Sequence, residues 1–216
     1  MESRNLRVFV MVAVALGAVV LIAATELRLP GNHRGYEPVQ PIAFSHRLHS
    51  GELKLDCQYC HFGAERSRHA GLPPATMCMN CHRVVTAAWD LVLAEEAAAK
   101  AAGRAPATLF SPELKKLYRA LALDDHLKPD PSLAPQPIEW VRVHHLPDFV
   151  YFDHRPHVAR GLACETCHGP VQSMERVRQE SDLSMGWCVN CHRSYPALPS
   201  APSAEHVSTD CSSCHF

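Results

Sequence analysis

The sequence predicts a mainly helical and irregular chain with almost no sheet, in which short helices wrap on bulky prosthetic groups behind one N-terminal transmembrane helix. Three observations carry this expectation. All 10 cysteines fall into five copies of Cys-x-x-Cys-His, an unbroken apolar run follows the first few residues, and the phrase Phe-x-His-Arg-x-His occurs twice.

The apolar run comes first. VFVMVAVALGAVVLIAA, residues 8–24, has no charged side chain and follows Arg4 and Arg7. At 1.5 Å per residue it covers ~26 Å, enough for a lipid core with help from Leu6 and Thr25. The arginines precede it, so the positive-inside rule leaves the N-terminus in the cytoplasm and the remainder on the periplasmic side. A cleaved signal peptide is the rival reading. The run exceeds the usual h-region and lacks a clean Ala-x-Ala site, which favours a retained anchor over residues 1–28 in the cytoplasmic membrane. A Pro/Gly-rich linker, 29–41, then lifts the next segment off the membrane.

The five motifs are Cys57–His61, Cys78–His82, Cys164–His168, Cys188–His192 and Cys211–His215. Cys-x-x-Cys-His is the attachment signature of c-type haem: the thiols add to the porphyrin vinyls and the adjacent imidazole takes the iron. This assigns covalent attachment to Cys57, Cys60, Cys78, Cys81, Cys164, Cys167, Cys188, Cys191, Cys211 and Cys214, and proximal ligation to His61, His82, His168, His192 and His215. Five haem c groups follow. Structural zinc takes four ligands, so five pairs would leave one unmatched, and neither zinc nor a disulfide framework needs a histidine after each second cysteine.

Residues 42–83 hold two motifs and form a first dihaem unit. Residues 84–137 are a helical insertion and Pro-rich connector. VVTAAWDLVLAEEAAAKAAG is rich in Ala, Leu and Glu and predicts a helix stopped by Gly103. Ser111, as an N-cap before Pro112, predicts a second helix to about Leu123. KPDPSLAPQP, 128–137, is a stiff connector, and nothing in the insertion resembles a cofactor site. Residues 138–216 carry three motifs and form a trihaem unit. FSHRLH at 44 pairs with FDHRPH at 152, and CMNCHR at 78 with CVNCHR at 188, offsets of 108 and 110. Two matches at nearly one offset mark an internal repeat. So much chain is committed to haem loops that the porphyrins must supply much of the buried apolar surface. Without haem the domain should not fold.

Of 15 histidines, ten lie outside the motifs. His33, His126 and His206 sit in polar or Pro-rich text and read as surface residues. In Phe-x-His-Arg-x-His, two imidazoles at i, i+3 share one helical turn, so a single turn can present ligands to two haems. His46, His49, His154 and His157 are therefore distal ligand candidates, with His144 as the fifth and His145 and His69 in reserve. Met174 and Met185 are the thioether alternatives, against which plain packing weighs equally.

The 21 basic and 22 acidic side chains nearly cancel and give no argument for nucleic acid. Five haems bring ~10 propionates, so the loaded protein is more acidic than the polypeptide.

The text FSHRLH, AGLPPATMCMNCHR, VHHLPDFVYFDHRPHV, CHGPVQSMERV and LSMGWCVNCHR resembles the pentahaem, membrane-anchored cytochrome c subunit of bacterial alternative complex III, over residues 40–83 and 138–216. The resemblance implies a class III-like multihaem cytochrome c, docked on integral membrane quinol-binding subunits beside an iron–sulfur subunit and monohaem cytochrome c subunits. It implies bis-histidine ligation through His46, His49, His144, His154 and His157, with electrons passing from quinol oxidation towards periplasmic carriers or a terminal oxidase. No catalytic residue is expected. The competing class is a self-sufficient multihaem reductase with one open iron; the supply of spare histidines and the absence of a variant motif argue against it. A small quinol dehydrogenase of the tetrahaem type fits the five motifs and the repeat poorly.

Overall fold

The computed structural model describes residues 2–26, 33–196 and 207–215. His206, residues 27–28 and the first four residues of the linker lie outside the described residues. The helices are α1 Glu2–Glu26, α2 Cys57–Cys60, α3 Ala75–His82, α4 Trp89–Ala101, α5 Pro112–Ala120, α6 His154–Ala159, α7 Glu165–His168 and α8 Met185–Ser194. Single turns span Arg47–Glu52, Val171–Ser173 and Cys211–Ser213. Among the described residues there is no strand, only the isolated bridges Leu123 to Pro129 and Val150 to His215.

The apolar run forms α1, whose side chains are described at residues 5 and 7–21, all of them exposed. Among the described residues no helix is long and apolar enough to cross a membrane. The transmembrane expectation is carried only by the full apolar text of residues 8–24.

By contacts the chain divides into two compact units. One comprises Met1–Gly35, His144–Tyr151 and Ser181–Phe216; the other comprises Tyr36–Val143 and Phe152–Glu180. This partition cuts across the division by repeat. The third motif belongs with the first two, and both Phe-x-His-Arg-x-His phrases lie in that same larger unit.

The insertion is tied to the second motif. α5 begins where expected, the Ser111 hydroxyl accepting from the Leu114 N–H at 3.2 Å with Pro112 in the first turn. It buries Leu117 and Tyr118, and Tyr118 donates its hydroxyl to the His82 carbonyl at 2.7 Å. Glu113 accepts from the Ala43 N–H at 2.7 Å. α4 starts at Trp89, five residues later than the composition predicts. The reason is local: the Val85 carbonyl is taken by His82 Nδ1 at 2.8 Å and the Thr86 carbonyl by the Ser111 N–H, so neither enters a helical ladder. Gly103, at φ +63°, lies just past the end of α4 in the left-handed conformation that glycine adopts without a Cβ clash.

The apolar core is thin. Among the described residues the buried apolar side chains are Ala64, Ala99, Leu117, Tyr118, Ala122 and Met174. Near Arg47–Glu52, the backbone packs so closely on the Gln172 carbonyl that only a glycine fits at position 51. Gly51→Ala should therefore destabilise the haem-loaded chain by about 1–3 kcal/mol through overpacking, measured by thermal unfolding; an unchanged transition would show that the two turns separate freely.

Candidate haem-binding site

Each motif places its two cysteines on one turn and its histidine just after. In the first, third and fifth motifs the histidine N–H donates to the carbonyl of the first cysteine, at 2.9 Å for His61, 3.0 Å for His168 and 2.9 Å for His215. The second and fourth motifs lie inside α3 and α8. Local caps start these turns: Asp56 accepts from the Gln58 N–H at 2.7 Å, and Ser184 from the Trp187 N–H at 3.2 Å. Among the described residues no disulfide joins any of the ten cysteines. Among the described residues no group of three His, Cys, Asp or Glu side chains converges to hold a bare metal ion.

The imidazoles are oriented by backbone carbonyls. His61 Nδ1 lies 2.7 Å from the Gly71 oxygen, His82 Nδ1 2.8 Å from Val85, His192 Nδ1 2.8 Å from Ser208, and His215 Nδ1 3.4 Å from Phe149. Three distal candidates repeat the pattern: His49 to Ser45 at 2.8 Å, His154 to Arg68 at 2.9 Å and His157 to Asp153 at 2.7 Å. A carbonyl can only accept, so Nδ1 carries the proton and the Nε2 lone pair is left for a metal. This donor set fits haem iron.

The two copies of Phe-x-His-Arg-x-His fold alike around their aromatic ring. Phe44 meets His46 edge-on at 4.9 Å and stacks on His49 at 4.2 Å. Phe152 meets His154 edge-on at 4.9 Å and lies 4.7 Å from His157. The residue after each Phe starts the turn, Ser45 accepting from the Leu48 N–H and Asp153 from the Arg155 N–H. The copies differ in pitch. Arg47–Glu52 is a wide π turn, held by a Leu53 N–H to Leu48 carbonyl bond, whereas the second copy forms α6.

Burial pushes His46 down to about 4, with His61 and His49 adding to the effect, and pushes His168 down to about 4, with His154 and His61 adding. Both imidazoles are therefore neutral near pH 7, the form that ligates a metal. Burial also raises the Cys60 and Cys78 thiols, and raises Cys164 to about 11, with the charge and hydrogen bond of Cys57 adding to the effect.

The remaining sequence candidates divide. His144 and His145 are half-buried in the smaller unit, and the His145 ring meets His33 at 4.6 Å with planes tilted by 32°, so His33 is not the isolated surface residue its surroundings suggest. His69 and His126 are exposed. Met174 is buried and its carbonyl takes the Arg47 N–H, while Met185 is 70% exposed. Sequence reasoning missed Tyr118, which holds His82, and Arg68, whose carbonyl holds His154 and whose Nε donates to the Phe152 carbonyl at 3.0 Å. A tyrosine in an amphipathic helix and a loop arginine carry no motif, so neither had a signal to find.

Comparison with known proteins agrees with this chemistry. Residues 150–216 match the family model described as cytochrome c7 and related cytochrome c. The chain is also similar to the menaquinone reductase multiheme cytochrome c subunit of Nitratidesulfovibrio vulgaris, 26% identical over 129 residues. That alignment takes in 60% of this chain and 45% of the relative, so the chain spans less than half the relative's length. Residues 150–216 are thus a cytochrome c7-like multihaem segment, and haem in such cytochromes is covalent.

Each Phe ring positions two imidazoles, an aromatic pair contributing about 0.5–1.5 kcal/mol. Phe152→Ala should loosen His154 and His157 together and add a high-spin component to the ferric absorption spectrum of the loaded protein. An unaltered low-spin spectrum would show that the ring does not hold them.

Proposed function

We propose that this chain is the electron-transfer subunit of a membrane quinol oxidoreductase complex, holding five haem c groups with histidine on both faces of most irons. The observation that carries the reading is the set of imidazoles whose Nδ1 atoms sit on backbone carbonyls. The set includes the motif histidines His61, His82, His192 and His215 and three histidines of the repeated phrases, His49, His154 and His157. Haem supplies a one-electron couple at each iron. The chain's own residues would hold each group through two thiols, turn the imidazoles by their Nδ1 bonds, and occupy the iron positions that water or substrate could take. With those positions filled, outer-sphere electron transfer is the chemistry left open.

Partner subunits are supported by the relative, whose name makes it one subunit of a menaquinone reductase. The resemblance to alternative complex III supplies the finer reading. Electrons leave quinol in integral membrane subunits, pass through these haems beside an iron–sulfur subunit, and go on to monohaem cytochromes or an oxidase. The relative's name favours a second reading, in which electrons run towards the quinone. In both, α1 anchors the chain in the cytoplasmic membrane with the haem motifs on the periplasmic face, since thioether attachment takes place outside the cytoplasm and Arg4 and Arg7 precede the apolar run.

The test is the intact mass of the chain recovered from alkali-washed membranes. The expected mass is that of the polypeptide plus five covalently bound haems. Four or fewer groups, or recovery of the chain in the alkaline wash, would contradict the reading.

A further inference from the structure

Two imidazoles bound to one iron, each at about 2 Å through Nε2, hold their ring centres roughly 6 Å apart. Rings in direct contact sit closer, as Phe44 and His49 do at 4.2 Å and His33 and His145 at 4.6 Å. Two histidine pairs in the larger unit stand at the wider distance, and each joins one motif histidine to one distal histidine. His49 and His82 are 6.1 Å apart, with planes inclined at 60°. His154 and His168 are 6.3 Å apart and nearly parallel, at 4°.

We propose that His49 and His82 are the two axial ligands of one haem and that His154 and His168 are the two axial ligands of another. This rests on reading Cys-x-x-Cys-His as haem c attachment, and it goes further by assigning distal ligands to particular irons. The Nδ1 atoms of His49, His82 and His154 are each held on a carbonyl, which turns their Nε2 atoms away from protein acceptors and frees them for the metal. The internal repeat extends the assignment. It equates His46 with His154 and His61 with His168, giving His46 to the iron of His61. His46 Nδ1 is buried without a hydrogen-bond partner, which sets this ring apart from the carbonyl-held His49, His82 and His154. The segment 45–52 thereby serves two haems, and the Arg68 carbonyl, between α2 and α3, steadies the ligand of a third.

The ring angles give each pair its own signature. Parallel imidazoles overlap the same iron d orbital and split the d levels widely, which yields a rhombic low-spin ferric resonance. Strongly rotated imidazoles overlap both d orbitals and leave them close in energy, which yields a highly anisotropic resonance. The haem of His168 should be rhombic and the haem of His82 highly anisotropic.

Electron paramagnetic resonance of the oxidised, haem-loaded chain tests this with His154→Met and His49→Met, each checked first for an unchanged covalent haem mass. His154→Met should remove one iron's worth of rhombic intensity and raise the potential of one haem, thioether ligation favouring the reduced state. His49→Met should spare the rhombic signal and remove one highly anisotropic one. Loss of the opposite signal, of the same signal in both variants, or of neither overturns the pairing. Where a methionine variant does not accumulate, His154→Gly with free imidazole in the buffer replaces it. Restoration of the rhombic signal by imidazole supports the assignment, and a signal indifferent to imidazole contradicts it. A fall in covalent haem mass in the unaltered chain would instead sink the attachment reading itself.

Discussion

The bond from histidine Nδ1 to a backbone carbonyl is the interaction on which the rest of this structure depends. It recurs at His49, His61, His82, His154, His157 and His192 between 2.7 and 2.9 Å. Each bond settles a tautomer, fixes a ring plane and leaves Nε2 unprotonated. A ligand set built this way requires the surrounding backbone to be irregular, because a carbonyl committed to an imidazole is lost to a helix or a sheet ladder. The shortage of regular structure in the haem-binding regions and the late start of α4 are consequences of that commitment.

A chain organised around ligands has little apolar interior of its own. The largest clustered burial lies in α5, where Leu117 and Tyr118 are 3% and 4% exposed, and Tyr118 uses its hydroxyl on the carbonyl of a motif histidine. The insertion is thus a buttress for the second motif. Stability and site geometry are coupled through it: disturbing α5 disturbs the orientation of His82.

Much of the chemistry was legible in the sequence, because covalent haem attachment needs particular residue types at fixed spacing. The doubled Phe-x-His-Arg-x-His was legible too, and its two copies place a ring against two imidazoles in nearly the same way. The acceptors were not legible. Gly71, Arg68 and Phe149 contribute carbonyls from 10, 86 and 66 residues away, and any residue type offers a carbonyl. The π turn at Arg47–Glu52 was hidden for a related reason: it follows from a close approach of Gly51 to a distant backbone. Spacing along the chain also grouped the third motif with the fourth and fifth, whereas contacts group it with the first two. The distances between His49 and His82 and between His154 and His168 are set by the fold of the larger unit and have no counterpart in spacing along the chain.

The central claim is that protein side chains close both faces of the irons, so that the chain conducts electrons and binds no substrate. The direct measurement is the dithionite-reduced absorption spectrum of the detergent-solubilised, haem-loaded chain before and after carbon monoxide. The account predicts a c-type spectrum that the gas does not move. A clear shift of the Soret band would reveal an open iron and contradict it.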